Sequence, residues 1–184
     1  MTALTEQLGR QMRIAEVRKA TAEDASGIAF VHVRSWQVAY RGHMPDEFLD
    51  GLDAEKRTNM WRELTQNPDK IVFVADDRKG NIVGFSALGP SRDADADPNT
   101  AEVSAIYVHP EKWQKGIGRA LLSTSLDEVR KREFDQVTLW VLEANQRARL
   151  FYESFGFMQD GTTKDDDHWK SFVIREVRYR LNLR

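Results

Sequence analysis

The stretch WQKGIGRALL, Trp113–Leu122, has the residue types of an anion-binding turn. Gly116 and Gly118 let a backbone approach a ligand closely, and the free amides and dipole at the start of a following helix attract negative charge. Lys115 and Arg119 place positive charge beside them. The spacing fits neither common nucleotide fingerprint. A dinucleotide loop needs a third glycine where Leu121 stands, and a Walker loop needs Gly-Lys where Leu121 and Leu122 stand. On its own, the glycine pair is equally consistent with a tight turn that holds nothing.

Other chemistries are narrowed by what the chain lacks. It has no cysteine, which excludes disulfides, thiolate metal sites and a cysteine nucleophile. The nearest approach to a nucleophile elbow, GFSAL (84–88), ends in Leu88 where glycine belongs. His32, His43 and His109 lack paired ligand spacing and no HExxH occurs, so no metal is expected. Asp93, Asp95 and Asp97 imitate the opening of a calcium loop, but Pro98 and Ser104 occupy the positions that need glycine and glutamate.

The elements that must position the glycine turn can be read from the hydrophobic pattern. IAEVRKA (14–20) reads as a strand, and TAED (21–24) as a capping box that starts a helix carrying Ile28, Val31, Trp36 and Tyr40. PDEFLDGL and AEKRTNMWRELTQ predict one or two more helices anchored by Phe48, Leu49, Leu52, Met60, Trp61 and Leu64. KIVFVADD and NIVGFSAL flank RKGN as a hairpin, and PSRDADADPNT (90–100) is a polar loop. AEVSAIYVHP (101–110) is a strand, GIGRALLSTSLDEVRKREF an amphipathic helix, and QVTLWVLEA (136–144) a central strand apolar on both faces. These three form a βαβ crossover, so the two strands should be parallel neighbours. NQRARLFYESFG is a short helix between the Asn145 cap and Gly156, and two closing strands come after it. The fold class is α/β with a mixed sheet.

The 184 residues suit one domain over 13–184, with MTALTEQLGRQM as a loose arm over 1–12 that lacks the apolar core of a signal peptide. A net charge of −2 gives no reason to expect nucleic acid or an anionic membrane, and no apolar run is long enough to span a bilayer. The expected location is cytoplasmic.

Two blocks resemble the Gcn5-related N-acetyltransferase (GNAT) family. AIYVHPEKWQKGIGRALL (105–122) is similar to its acetyl-CoA signature of a strand, a proline, then Arg/Gln-x-x-Gly-x-Gly/Ala into a helix. EANQRARLFYESFGF (143–157) resembles its later Asn…Ala…Phe-Tyr-Glu…Gly-Phe segment. The resemblance runs from about Arg13 to Leu181, and VRKATAEDA looks like a family opening. It departs at Trp113, which stands where the signature has Arg or Gln.

The resemblance implies a central, mostly antiparallel mixed sheet with a splayed parallel pair and flanking helices. It implies acetyl-CoA as cosubstrate, with its pyrophosphate on the amides of Gln114, Lys115, Gly116, Ile117, Gly118 and Arg119. Its pantetheine arm would pair as a pseudo-strand with Ile106, Tyr107 and Val108. Asn145 would touch the arm, or serve only as a helix cap. Tyr152 would protonate the leaving thiolate, or else pack in the core. Glu102 would be the base, directly or through water, or else an ion-paired strand carboxylate. The acceptor would be a primary amine attacking directly in a ternary complex, most simply a small molecule. A protein N-terminus or lysine, and a non-catalytic coenzyme sensor, are the alternatives. The family also allows a homodimer. Trp36 and Tyr40 line an acceptor pocket or pack the core, and the runs Asp93–Asp97 and Asp165–Asp167 either border its mouth or are solvated loop charge.

Overall fold

A computed structural model describes residues 15–77, 79–166 and 172–184. The expected arm over 1–12 lies outside the described residues, as does Asp167. Strand β1 (Glu16–Lys19) leads through one 3-10 turn (Ala22–Asp24) into α1 (Ala25–Ala39), so the predicted helix starts one turn later than its capping residues suggest. Asp24 still caps, accepting from the Thr21 N–H at 2.8 Å. Helices α2 (Asp46–Asp50) and α3 (Ala54–Gln66) come next, the latter capped by Asp53, whose carboxylate accepts from the amides of Glu55 and Lys56. Then come β2 (Ile71–Asp76), β3 (Ile82–Pro90), β4 (Thr100–Val108), a 3-10 turn (Pro110–Lys112), α4 (Ile117–Lys131), β5 (Gln136–Leu142), α5 (Gln146–Glu153), β6 (Met158–Asp166) and β7 (Ile174–Asn182).

The seven strands form one sheet in the order β1-β2-β3-β4-β5-β7-β6. Every neighbouring pair is antiparallel except β4 and β5, the pair the crossover requires to be parallel. Helix α4 covers one face, where Leu121, Leu122 and Val129 pack with Val137, Leu139 and Val177. Helices α1 and α3 cover the other face over β2–β4, through Ile28, Val31 and Trp61 against Val74 and Phe85. Covered on both sides, β2 is buried along almost its whole length. Among the described residues no helix is long and apolar enough to cross a membrane.

Two irregularities shape the middle of the sheet. Ala87 pairs with Ala105 and Leu88 with Val103, so Ser104 is an extra residue on β4. Such a bulge bends a strand and re-aims the side chains beyond it. Before it, Ala101 and Val103 point to the α4 side; after it, Ala105 and Tyr107 point to the α1 side. In addition, β4 and β5 pair only over Thr100↔Gln136, Ala101↔Val137 and Glu102↔Thr138, then part. Residues 101–103 are accordingly buried, while Ser104 is exposed and 105–108 are half-exposed in a central strand.

The polar connection after β3 folds back over β5 and β7. Arg178, 3% exposed, donates to Asp93, Asp95, Asp160 and Thr162, at 2.7 to 3.1 Å. Removing a buried guanidinium strands the carboxylates around it, at a cost of about 3 kcal/mol. Arg178→Ala should lose about that much stability in urea unfolding, while Arg175→Ala, which breaks a solvent-exposed pair with Asp165, should leave the midpoint unchanged.

Candidate active site

The gap between β4 and β5 opens into a cavity of about 720 Å³. Its walls are the bulged end of β4, the glycine turn, the start of α5, Trp140 and Val141 of β5, and the end of α1 with His43. The backbone pattern shows why this strand edge is free. The His109 N–H donates to Val83 O at 2.9 Å, so His109 and, by alternation, Tyr107 direct their backbone groups toward β3. Ile106 and Val108 then direct theirs into the gap.

The Val108 carbonyl is already occupied. It accepts from Ser35 Oγ at 3.0 Å and from Trp113 Nε1 at 2.7 Å. This refines the expected pseudo-strand: Ile106 and the Val108 N–H remain for a ligand, and Tyr107 faces the wrong way with its backbone. The Tyr107 side chain instead points to the α1 side, stacked on His32 and 3.3 Å from the Tyr40 hydroxyl. Trp113, the departure from the family signature, thus uses its indole N–H to brace the strand. Its ring carries Arg147 of α5, whose guanidinium carbon lies 3.8 Å from the ring centroid.

The glycine turn has the geometry its sequence suggests. Gly116 caps α4 at φ 80°, and Gln114 also sits at positive φ, 60°. That region is uncommon for a non-glycine residue and is often held at ligand sites. The first α4 amides have no partner within the helix and open on the cavity, which Gln114, Gly116, Ile117, Gly118 and Arg119 all line. Lys112, Arg119 and Arg147 are the cations of the lining. Lys115 is not among them; its ammonium turns back to the Glu111 carbonyl at 2.9 Å. A helix N-terminus in a cationic rim fits a pyrophosphate.

Tyr152, near the end of α5, lines the same cavity and is 8% exposed. Burial, with the nearby Tyr107, pushes its phenol well above the ordinary value, so it stays protonated. Asn145 caps α5, its side-chain oxygen accepting from the Ala148 N–H at 3.1 Å, and also lines the cavity, so both of its expected roles are geometrically open.

Glu102 is placed differently. It is 2% exposed, does not line the cavity, and is clamped by Arg92 through both carboxylate oxygens and the Arg92 backbone N–H. Burial opposes its charge, but the Arg92 hydrogen bonds and charge win, and the carboxyl lies below its ordinary value of 4.5. A carboxylate held this way is a weak proton acceptor. Among the described residues no carboxylate lines the cavity. The acidic loop does not border a mouth as free charge either: Asp93 and Asp95 bind Arg178, Asp97 accepts from Gln136, and Asp165 pairs with Arg175.

The histidines divide. His32 is buried and neutral, its pKa lowered to about 3 by burial and then by Arg57, and it accepts from Trp61 Nε1 at 3.0 Å. His109 stacks on Phe30. His43 lines the cavity, as does Tyr40, whereas Trp36 lies behind Tyr40 in an aromatic cluster. Sequence reasoning missed Arg147 and Trp140, whose roles depend on elements distant in the chain.

The profile of the Acetyltransferase (GNAT) family matches residues 33–157. The chain belongs to this family. It is 34% identical over 139 residues to the uncharacterized N-acetyltransferase YuaI of Bacillus subtilis, covering 76% of this chain and 78% of that one. It is 26% identical over 155 residues to a spermidine N(1)-acetyltransferase of Thermoplasma acidophilum, covering 82% and 92%. The fold matches the crystal structure of PaiA N-acetyltransferase from Thermoplasma acidophilum in complex with coenzyme A at a TM-score of 0.70 and 24% identity, covering 91% and 98%. The chain is therefore a GNAT N-acetyltransferase with acetyl-CoA as cosubstrate.

Two outcomes test the site. A Cβ on Gly118 would meet nothing nearer than 3.6 Å, so Gly118→Asp should fold normally. Its carboxylate would add negative charge at the α4 N-terminus, and if the pyrophosphate sits there calorimetry should show coenzyme A affinity reduced about 100-fold, about 2.7 kcal/mol. For Glu102, the folded-state pKa is depressed, so its stabilisation is present above about pH 4.5 and lost as pH falls through the lower folded value. Glu102→Gln should melt below wild type at pH 7, and the difference should shrink toward pH 3 in thermal scans.

Proposed function

We propose that the acceptor is the primary amine of a small molecule, which attacks the thioester directly in a ternary complex. The observation that carries this reading is the continuity of the cavity. One space runs from the glycine turn, past Ile106 and Tyr152, to Tyr40, His43 and Trp140 on the opposite face of the sheet. Both substrates can be bound at once, and its size is in the range of small-molecule sites. The similarity to a spermidine acetyltransferase supports a small amine. The absence of cysteine is consistent with direct attack.

In this reading the amides of Gln114 and of Gly116 to Arg119 hold the pyrophosphate, with Lys112, Arg119 and Arg147 balancing its charge. Ile106 and the Val108 N–H align the arm, and the Asn145 side chain touches it. Tyr152 donates a proton to the sulfur as the C–S bond breaks. With ordinary values of about 10 for a phenol and about 8.5 for a thiol, that transfer is uphill by about 2 kcal/mol. Burial raises Tyr152, and it raises a thiolate's proton affinity in the same enclosed space, so the gap does not widen in proportion. The amine proton leaves to water in the cavity. Glu102, clamped by Arg92, holds the start of β4 and the adjoining loop in place rather than collecting that proton.

Thiol release measured across diamines, amino acid amides and peptides tests the acceptor; saturation only by peptides would overturn the small-molecule reading. Tyr152→Phe should lower kcat by about 100-fold, within the usual range for a general acid, and leave coenzyme A affinity within about twofold of wild type. Unchanged turnover would remove Tyr152 from the mechanism.

A further inference from the structure

Trp140 stands at the inner end of the gap. The last paired residues of β4 and β5 are Glu102 and Thr138; two positions further on lie Ser104 and Trp140, and both line the cavity. The glycine turn lies beyond the other end of β4. From Val108 to Ser104 is four residues, about 13 Å of strand at 3.3 Å each. An arm that starts at the turn and tracks β4 points its acyl end toward the junction where Trp140 stands.

The indole is fixed from outside the cavity. Its Nε1–H donates to Asp93 Oδ1 at 2.9 Å, and the other Asp93 oxygen accepts from Arg178 Nη1 at 3.1 Å. Arg178 is the cross-strand neighbour of Trp140 on β7. The ammonium of Lys164 sits 4.2 Å from the ring centroid, itself paired with Glu176 at 3.0 Å. A flat, bulky wall is thus anchored at its N–H edge and on one face by residues that do not line the cavity, two positions beyond the last paired residues of β4 and β5.

Resting on the cavity reading above, we propose that Trp140 is a specificity-determining residue that limits the acyl group to short chains, and that Asp93 is the positioning residue that holds it. The apolar wall leaves room for an acetyl group and collides with added methylenes. The Asp93–Arg178 pair matters here because a freely rotating indole would yield to a longer chain.

The test is binding by calorimetry and kcat/KM for acetyl-, butyryl- and hexanoyl-CoA, with free coenzyme A as internal control. Wild type should prefer acetyl over hexanoyl by at least about 50-fold, since a single methylene changes discrimination by about 10- to 200-fold in a hydrophobic pocket. Trp140→Ala should reduce that ratio at least about 10-fold, and Asp93→Ala should shift it part of the way, about 3-fold, with free coenzyme A affinity unchanged. Trp140→Phe, which preserves an aromatic wall and more of the packing, should fold and shift the ratio less than alanine but in the same direction. An unchanged acyl preference in either folded Trp140 variant that still binds coenzyme A overturns the proposal. Failure of the wild-type protein to bind coenzyme A would instead overturn the reading of the cavity.

Discussion

A parallel strand pair that stops pairing after three residues is the constraint on which the rest of this molecule depends. Backbone amides and carbonyls in the middle of a sheet must find partners, because leaving them bare costs about as much as a lost hydrogen bond. On β4 beyond Glu102 the strand cannot find them on β5. Part of the demand is met internally: the Val108 carbonyl accepts from Ser35 and Trp113. The remaining groups face a cavity that begins at a cationic helix N-terminus. The sheet has kept an edge open in its centre, where an edge normally invites unwanted pairing. In the proposed reading, strand addition by the coenzyme arm would answer that opening with the same hydrogen bonds a strand would make.

The parting is held by several independent contacts. The Ser104 bulge turns the strand just past the last paired residues, Trp140 occupies the space across from it, and the Asn145 cap starts α5 immediately after β5 ends. Tyr152 therefore reaches the cavity because α5 is short and begins where it does. Charge is sorted in parallel. Acidic side chains around the gap are taken up by arginines, as in Arg92–Glu102 and the three carboxylates Asp93, Asp95 and Asp160 held by Arg178, while the cavity lining retains Lys112, Arg119 and Arg147. The outcome is an anion-favouring end and an aromatic end within one space.

The sequence was most informative where function depends on local geometry. The glycine turn, the Asn145 cap and the extent of α3 depend on neighbours within a few residues, and each could be read directly; the parallel pairing of β4 and β5 followed from the order strand, helix, strand. The mixed sheet followed from the order of the elements, and the splay was available through the resemblance. Trp140 and Arg178 were not legible as a unit, because Asp93 lies 47 and 85 residues from them and meets them only once the loop folds over β5 and β7. Glu102 illustrates the same limit from the other side. Its type and strand position suit a base, but its state is decided by Arg92, ten residues away across a loop whose path no local pattern specifies. Lys115 had the right charge and the right neighbours, and its rotamer carried the ammonium elsewhere.

Trp113 shows how a departure from a motif can be compensated at a distance. A polar or cationic side chain at this position would supply a hydrogen-bond donor and, if arginine, positive charge near the phosphates. The indole keeps the donor, directed at the Val108 carbonyl, and gives up the charge. A cation is supplied from the neighbouring helix: the Arg147 guanidinium carbon lies over the indole, 3.8 Å from its centroid, and Arg147 lines the same cavity. A guanidinium on an aromatic face keeps its in-plane donors available for a phosphate while the ring fixes its orientation. Two residues from two elements thus divide what one side chain would otherwise do. The division also ties the glycine turn to α5, linking the proposed phosphate end of the site to the helix that carries Tyr152.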